Sequence, residues 1–249
     1  MRILITGGAG YLGSIFTEHL LSQGEITNLV VYDNMMYNQT SLVDLSNNSN
    51  FTFHYGDVRE WSKLKYLVEQ VDIVIPLAAL VGFPLCEKDK DLATSINTTQ
   101  VQNIVDVLSD NQMILYPNTN SGYGSRTEGM VDETNELTPI SHYGRTKCEA
   151  EDYIINESNG ISFRLATVFG VSSRMRTDLL VNYFVNKAIT EKKIEMILST
   201  IYSLASRLIG NSSYNVNGKN WLVLCDERKI KRQNILVLML SLIHISEPT

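Results

Sequence analysis

Only three cysteines occur in 249 residues, Cys86, Cys148 and Cys225, and they stand far apart with no paired spacing. That scarcity excludes a disulfide framework and a zinc knuckle, and it fits a reducing compartment, read here as the cytoplasm. No metal is expected. Positive charge is also short, with 21 Lys and Arg against 27 Asp and Glu and a net charge of −6. No basic field is available to hold a polyanion, so nucleic acid is not an expected partner. Long apolar runs are missing too: the most apolar stretch, Ile235 to Ile245, is roughly half of the ~20 residues that a membrane-crossing helix needs. The opening MRILITGGAG enters a strand and a glycine turn without the basic and apolar regions of a secretory signal. What is present is a globular composition, 44% hydrophobic and 19% charged, in a length that suits one large α/β domain or a domain and a half.

Up to about Gly170, short β-branched runs alternate with longer amphipathic ones, the signature of a doubly wound parallel sheet. Strands are expected at Arg2 to Thr6, Asn28 to Asp33, Phe51 to Tyr55, Asp72 to Leu77, Met113 to Pro117 and Ile161 to Ala166. Helices are expected at Tyr11 to Ser22, with Gly24 as a C-terminal stop, and at Trp61 to Gln70, Asp89 to Leu108 and Ser141 to Ser158. Arg174 to Lys193 reads as a basic loop and a helix. Beyond Glu195 no sustained period of 2 or 3.6 is found.

Gly7, Gly10 and Gly13 stand in GGAGYLG, directly after the first strand and at the start of a helix. A plain glycine turn would satisfy the pattern. In this position, however, it also lets backbone approach a pyrophosphate, whose charge meets free N–H groups and the positive end of the helix dipole. Asp33 ends the second strand, twenty residues after Gly13, where a carboxylate accepts hydrogen bonds from a ribose and repels a 2′-phosphate. Together they favour NAD over NADP. Tyr143 and Lys147, in HYGRTK, are four apart on an expected helix and so share a face. An ammonium beside a phenol lowers its pKa towards the range of a general base. PNTNSGYG, residues Pro117 to Gly124, follows the fifth strand at the carboxyl edge, where open α/β sheets place ligands.

These motifs, with GDV at Gly56 to Val58, PLAAL at Pro76 to Leu80, and Asn97, resemble the extended short-chain dehydrogenase/reductases, and among them the nucleotide-sugar epimerase/dehydratase family. The resemblance covers Met1 to about Lys193. It implies a Rossmann-type sheet over residues 1–168, the start of a smaller substrate-binding region over 169–193, and Tyr143 as general acid/base with Lys147 as its electrostatic partner, also bonded to the nicotinamide ribose. Thr119 matches the family's catalytic Ser/Thr. Gly7, Gly10, Tyr11, Leu12, Gly13, Asp33 and Asn34 match NAD contacts, Asp57 and Val58 positions beside the adenine, and Leu77, Ala78 and Ala79 positions under the cofactor. Asn97, Asn120 and Ser121 fall near the substrate. Thr167 stands where many members carry Asn.

Relatives that act as 4,6-dehydratases carry an Asp-Glu pair after the catalytic Ser/Thr. Here Asn120 and Ser121 follow Thr119, and neither exchanges a proton near neutral pH. The resemblance therefore implies an NAD-dependent epimerase that oxidises a nucleotide-diphosphate sugar to a keto intermediate and returns the hydride. A reductase or dehydrogenase of the same family and a non-catalytic NAD-binding module are the alternatives. Arg174 and Arg176 suit a diphosphate, and equally read as a solvated loop. His142 and the thiol of Cys148 are set aside as catalysts. A homodimer is implied by the resemblance alone. The last ten residues, LSLIHISEPT from Leu240 to Thr249, resemble an in-frame translation of a sequencing adaptor. A shifted reading frame is expected from about Ile194, making residues 194–249 foreign to the fold.

Overall fold

The computed structural model describes residues 1–125, 131–191, 214–216 and 219–221. The chain divides into two units, one formed by Met1–Thr167 and Val171–Met175, the other by Val168–Gly170 and Arg176–Thr249.

In the first unit six strands, β1 (Arg2–Thr6), β2 (Asn28–Asp33), β3 (Phe51–Tyr55), β4 (Ile73–Pro76), β5 (Met113–Thr119) and β6 (Ile161–Leu165), form one sheet in the order β3-β2-β1-β4-β5-β6. All five pairings are parallel. Parallel strands need crossovers, and the sequence supplies them as α1 (Tyr11–Ser22), α2 (Trp61–Val68), α3 (Phe83–Lys88), α4 (Lys90–Thr94), α5 (Gln100–Val105) and α6 (His142–Glu157). This is the doubly wound Rossmann-type fold that the sequence leads one to expect.

Alternation along β1 shows why both faces are covered. Leu4 packs with Val30, Val74, Ile114 and Tyr116 against Leu64 and Leu67 of α2, Ile104 of α5 and Ala150 and Ile154 of α6. Its neighbours Ile3 and Ile5 point the other way, with Leu29, Val31 and Ile75, towards Leu20 and Leu21 of α1. A strand apolar on both faces is stable only between two layers. Between β1 and β4 the strand order reverses, which opens a crevice at their carboxyl ends. Gly24 follows α1 with φ 73°, as a helix stop requires.

Two stretches differ from expectation. The helix expected at Asp89 to Leu108 is divided: Asp89 caps α4 by accepting from the Leu92 N–H (2.9 Å), and a π-helical turn at Ser95–Thr99 separates α4 from α5. The wider turn holds Asn97, whose amide is bonded in both directions to the backbone of Leu80. Second, α3 has no counterpart in the sequence reading, because six residues are too few to show a helical period.

In the second unit the described elements are α7 (Leu180–Thr190) and an antiparallel hairpin of β7 (Tyr214–Val216) and β8 (Lys219–Trp221). The hairpin lies where no period was found. The Asn217-Gly218 dipeptide between its strands is the available signal. The adaptor-like segment Leu240 to Thr249, and most of residues 194–249, lie outside the described residues.

Candidate active site

The crevice is built from glycine outward. Gly7 leaves β1 with φ 68°, and a Cβ there would lie 2.6 Å from the backbone nitrogen of Ala78. Gly13, inside α1, is tighter still: its added Cβ would stand 2.5 Å from the carbonyl oxygen of Gly7. No side chain fits at either point, so the turn is pressed against the end of β4, where the Leu77 N–H donates to Thr6 O (3.0 Å) and the Ala78 N–H to Thr6 Oγ1 (3.3 Å). Gly10 caps α1 without a side-chain bond, and no acid stands in the helix's first turn. Tyr11 and Leu12 open that turn half-buried, and Leu77, Ala78 and Ala79 border it half-buried as well.

Asp33 sits at the end of β2, buried, with its carboxylate accepting from the N–H of Ala9 (3.0 Å) in the glycine turn, the N–H of Met35 (2.8 Å) and Nε2 of Gln39 (3.3 Å). Burial raises its pKa against those two backbone bonds. Asn34 donates to Asp57 (3.3 Å), which is held in turn by the Arg59 guanidinium at 2.8 and 2.9 Å. The Arg59 hydrogen bond brings the Asp57 carboxyl down to about 2, in spite of partial burial. Val58 is buried in the core among Tyr32 and Leu64, so its side chain is packing and only its backbone can border a ligand. The structure thus gathers the expected cofactor residues at the carboxyl ends of β1, β2, β3 and β4.

Tyr143 and Lys147 are placed by α6. Ser141 caps this helix, its Oγ accepting from the Gly144 N–H (3.0 Å), so the helix begins one residue before Tyr143. Tyr143 is half-buried against the cluster of Leu80, Cys86 and Ala93 that continues from β4. Lys147, one turn on, is 4% exposed, with Nζ 3.9 Å from the centre of the Tyr116 ring on β5. Burial lowers its pKa to about 7, opposed by the negative charge of Glu151. Thr119 ends β5 and caps the 3-10 turn Asn120–Tyr123, its Oγ1 accepting from the Ser121 N–H (3.2 Å) and donating to Ser121 Oγ (3.1 Å). That turn lies against α6: an added Cβ at Gly144 would meet Ser121 O at 3.3 Å, and one at Gly122 would meet Cys148 Sγ at 2.7 Å. The arrangement has a half-buried phenol and a buried amine one turn apart on α6 and a hydroxyl at the end of the adjoining strand β5.

Five expected substrate residues fare differently. Asn120 and Ser121 are exposed beside Thr119. Asn97 does not face the crevice as a free group. It is 1% exposed and its amide is occupied by Leu80 N (2.8 Å), Leu80 O (3.0 Å) and Thr146 Oγ1 (3.2 Å), which makes it a wedge between β4 and α6. The two arginines fall in different units. Arg174 belongs to the first unit, 5.3 Å over the ring of Tyr37. Arg176 falls in the second unit, ion-paired at 2.6 Å with Asp178.

Sequence reasoning missed the charged network under α6. Glu151, 2% exposed, accepts from Asn118 Nδ2, from Ser162 Oγ (2.7 Å) and from the Arg164 guanidinium (2.7 and 2.6 Å). Burial would raise the Glu151 carboxyl, but these donors outweigh it and leave it below the usual carboxylate range. The signal was present as spacing, since Tyr143, Lys147 and Glu151 recur every four residues along one face. His142 Nε2 lies 3.1 Å from both Thr94 Oγ1 and Lys90 O. Cys86 and Cys148 are unpaired thiols, while Cys225 lies outside the described residues. Among the described residues no cluster of three metal-ligating side chains occurs, and no helix is long and apolar enough to cross a membrane.

A parallel sheet with a glycine turn at its switch point and a Tyr-x3-Lys helix beside it defines a Rossmann-type protein of the short-chain dehydrogenase/reductase kind. Residues 3–202 match the NAD dependent epimerase/dehydratase family, and the chain belongs to it. The match runs nine residues past Lys193, the end of the stretch that the motif resemblance covers. The chain is 27% identical over 171 residues to a UDP-N-acetylglucosamine 4,6-dehydratase (inverting) of Campylobacter jejuni, covering 69% of this chain and 47% of that protein. It is 30% identical over 155 residues to a UDP-glucose 4-epimerase of Halalkalibacterium halodurans, covering 61% and 44%. Among solved structures it is similar to a UDP-glucuronic acid 4-epimerase of Bacillus cereus in complex with UDP-glucuronic acid and NAD, with TM-score 0.66, 26% identity, and 76% of this chain and 63% of that one covered. The chain spans about half the length of the curated relatives it matches.

Proposed function

We propose that this chain carries the NAD-binding and catalytic part of an epimerase acting on a nucleotide-diphosphate sugar. The observation that carries the reading is the turn after β5: Thr119, set against the Tyr143 helix, is followed by Asn120 and Ser121 instead of an acid pair. A site so equipped can move a proton at a sugar hydroxyl through one phenol but has no second acid or base to expel water. The dehydratases among its relatives keep the alternative testable.

The residues fit a dinucleotide. The cradle at Gly7 and Gly13 has no room for a Cβ, a helix begins on that turn, and buried Asp33 lies at the end of the neighbouring strand, where it would accept from a ribose and disfavour a 2′-phosphate. When bound, NAD supplies a hydride acceptor and then a hydride donor. Tyr143 Oη takes the proton from the sugar hydroxyl and returns it when the carbonyl is reduced. Lys147, in its charged form, favours the phenolate by proximity. Thr119 Oγ1, giving up its bond to Ser121 Oγ, would donate to the same sugar oxygen and keep it in line with Tyr143. Asn34 would contact the cofactor, Asp57 and the backbone at Val58 would lie beside the adenine, and Leu77 to Ala79 would form the floor beneath the cofactor. Arg174 stands on the first unit for the substrate's diphosphate. A homodimer and a cytoplasmic setting complete the reading.

The test is incubation with NAD and a panel of uridine, thymidine and cytidine diphosphate hexoses, followed by proton NMR of the sugar and by absorbance of reduced cofactor. An inverted sugar without net NADH is expected. Steady NADH formation would reassign the protein as a dehydrogenase, and a dehydrated keto sugar would refute the argument from Asn120 and Ser121. Binding of NAD with no turnover of any sugar would favour the non-catalytic module.

A further inference from the structure

We propose that Glu151 is a positioning residue of this site, its buried carboxylate fixing Asn118 behind Thr119 and supplying the counter-charge that keeps Lys147 protonated. The inference rests on reading Tyr143, Lys147 and Thr119 as the reacting groups.

The geometry has two arms. In the first, Asn118 is 4% exposed and spans two partners, its Nδ2 donating to Glu151 and its Oδ1 accepting from the Thr119 N–H at 2.7 Å. The backbone of Thr119 is thereby tied to α6 through one amide. In the second arm, Glu151 lies one helical turn from Lys147 on the same face, and its charge raises the lysine's pKa against burial. The other groups near Lys147 cannot take that role. Tyr116, under Nζ from β5, has its phenol raised well above the ordinary value, and burial pushes the Cys148 thiol on α6 up to about 11, so both are neutral around pH 7. Tyr143 is the group the lysine serves. Glu87 of α3 is engaged with Lys90 and with the N–H of His142 at the start of α6. On β6, Arg164 binds Glu151 Oε1, the oxygen that Asn118 and Ser162 leave to it, and also donates to Tyr123 Oη (3.0 Å). Arg164 thus neutralises part of the charge that Lys147 feels, and the two substitutions below are expected to act with opposite signs.

The experiment is a pH titration by NMR of the full chain labelled with 13C and 15N at lysine, without NAD or sugar, the Lys147 signal being assigned by its loss in Lys147→Met. Glu151→Gln is expected to lower the Lys147 pKa by about one unit, tenfold in proton affinity, and to speed solvent exchange of the Thr119 amide. Arg164→Met is expected to raise the lysine pKa. A carboxylate that merely supports the fold would shift both variants in one direction or neither, and either result overturns the proposal, as does unchanged exchange at Thr119. If Glu151→Gln does not fold, the sign of the Arg164→Met shift decides. If neither folds, the wild-type chain decides: its Lys147 signal must show a second inflection below pH ~4.5 as Glu151 protonates, and a flat acid limb refutes the coupling. Because no sugar or cofactor enters this titration, its failure is distinct from a failure to find epimerase turnover.

Discussion

Replacing Gly13 by Ala sets two effects of known sign against each other. Gly13 is the third residue of α1, and at an exposed helical position Gly→Ala gains about 1 kcal/mol from propensity alone. Here the new Cβ would stand 2.5 Å from Gly7 O, 2.5 Å from Gly8 Cα and 2.7 Å from Gly8 C. All three are backbone atoms of the glycine turn, so no rotamer can give way, and overpacking against fixed atoms costs about 3 kcal/mol. The net expectation is a loss of about 2 kcal/mol, near thirtyfold in the folding equilibrium. NAD affinity should fall with it, because the only relief is to push the turn into the space a pyrophosphate would use. Urea unfolding followed by circular dichroism gives the first quantity and calorimetric titration with NAD the second. Gly24→Ala is the control: its φ is +73° but nothing lies within 4 Å of the added Cβ. It should lose about 1–2 kcal/mol through left-handed strain and keep its affinity for NAD. A Gly13→Ala protein as stable as the original, with unchanged NAD binding, would show that the close approach of the turn to α1 is not a constraint.

The chain should bind NAD more tightly than NADP, and Asp33→Ala should narrow the gap, as calorimetry with both dinucleotides would show; equal affinities in the wild type would remove Asp33 from the ribose. Tyr143→Phe should lower turnover of the identified sugar nucleotide by at least about a hundredfold, the scale of general acid–base catalysis, with NAD affinity kept within a few fold; wild-type turnover would refute the role given to the phenol. The carboxyl of Asp57, held down to about 2 by Arg59, is depressed in the folded chain, so it stabilises above the ordinary carboxylate range and loses that contribution as pH falls through about 4 to 2. Asp57→Asn should flatten the acid limb of the stability profile in that window, and an unchanged limb would show that the ion pair contributes nothing.

How much of this was legible in the residues depended on whether a feature was local. The strands and α1 were readable because a glycine turn, a β-branched run and a 3.6-residue period each declare themselves within a dozen residues. Tyr143 and Lys147 share one face by spacing alone, since four residues make about one helical turn. Features made by contacts between distant segments were not readable. The π turn at Ser95–Thr99 accompanies bonds from Asn97 to Leu80, seventeen residues away, and nothing in the spacing of Asp89 to Leu108 announces them. Arg174 and Arg176 suit a diphosphate and a solvated loop equally in sequence, and nothing in their spacing announces that the chain passes from one unit to the next between them. Glu151 is the instructive case. Its helical register with Lys147 was visible, but an acid on a helix is usually solvated. What turns it inward is the pairing of β5 with β6, which brings Asn118 opposite Arg164 and sets an amide and a guanidinium beneath the same carboxylate. A buried charge is tolerable only with such partners, so the burial of Glu151 and the placement of Thr119 follow from one event, the docking of α6 on the β5–β6 edge.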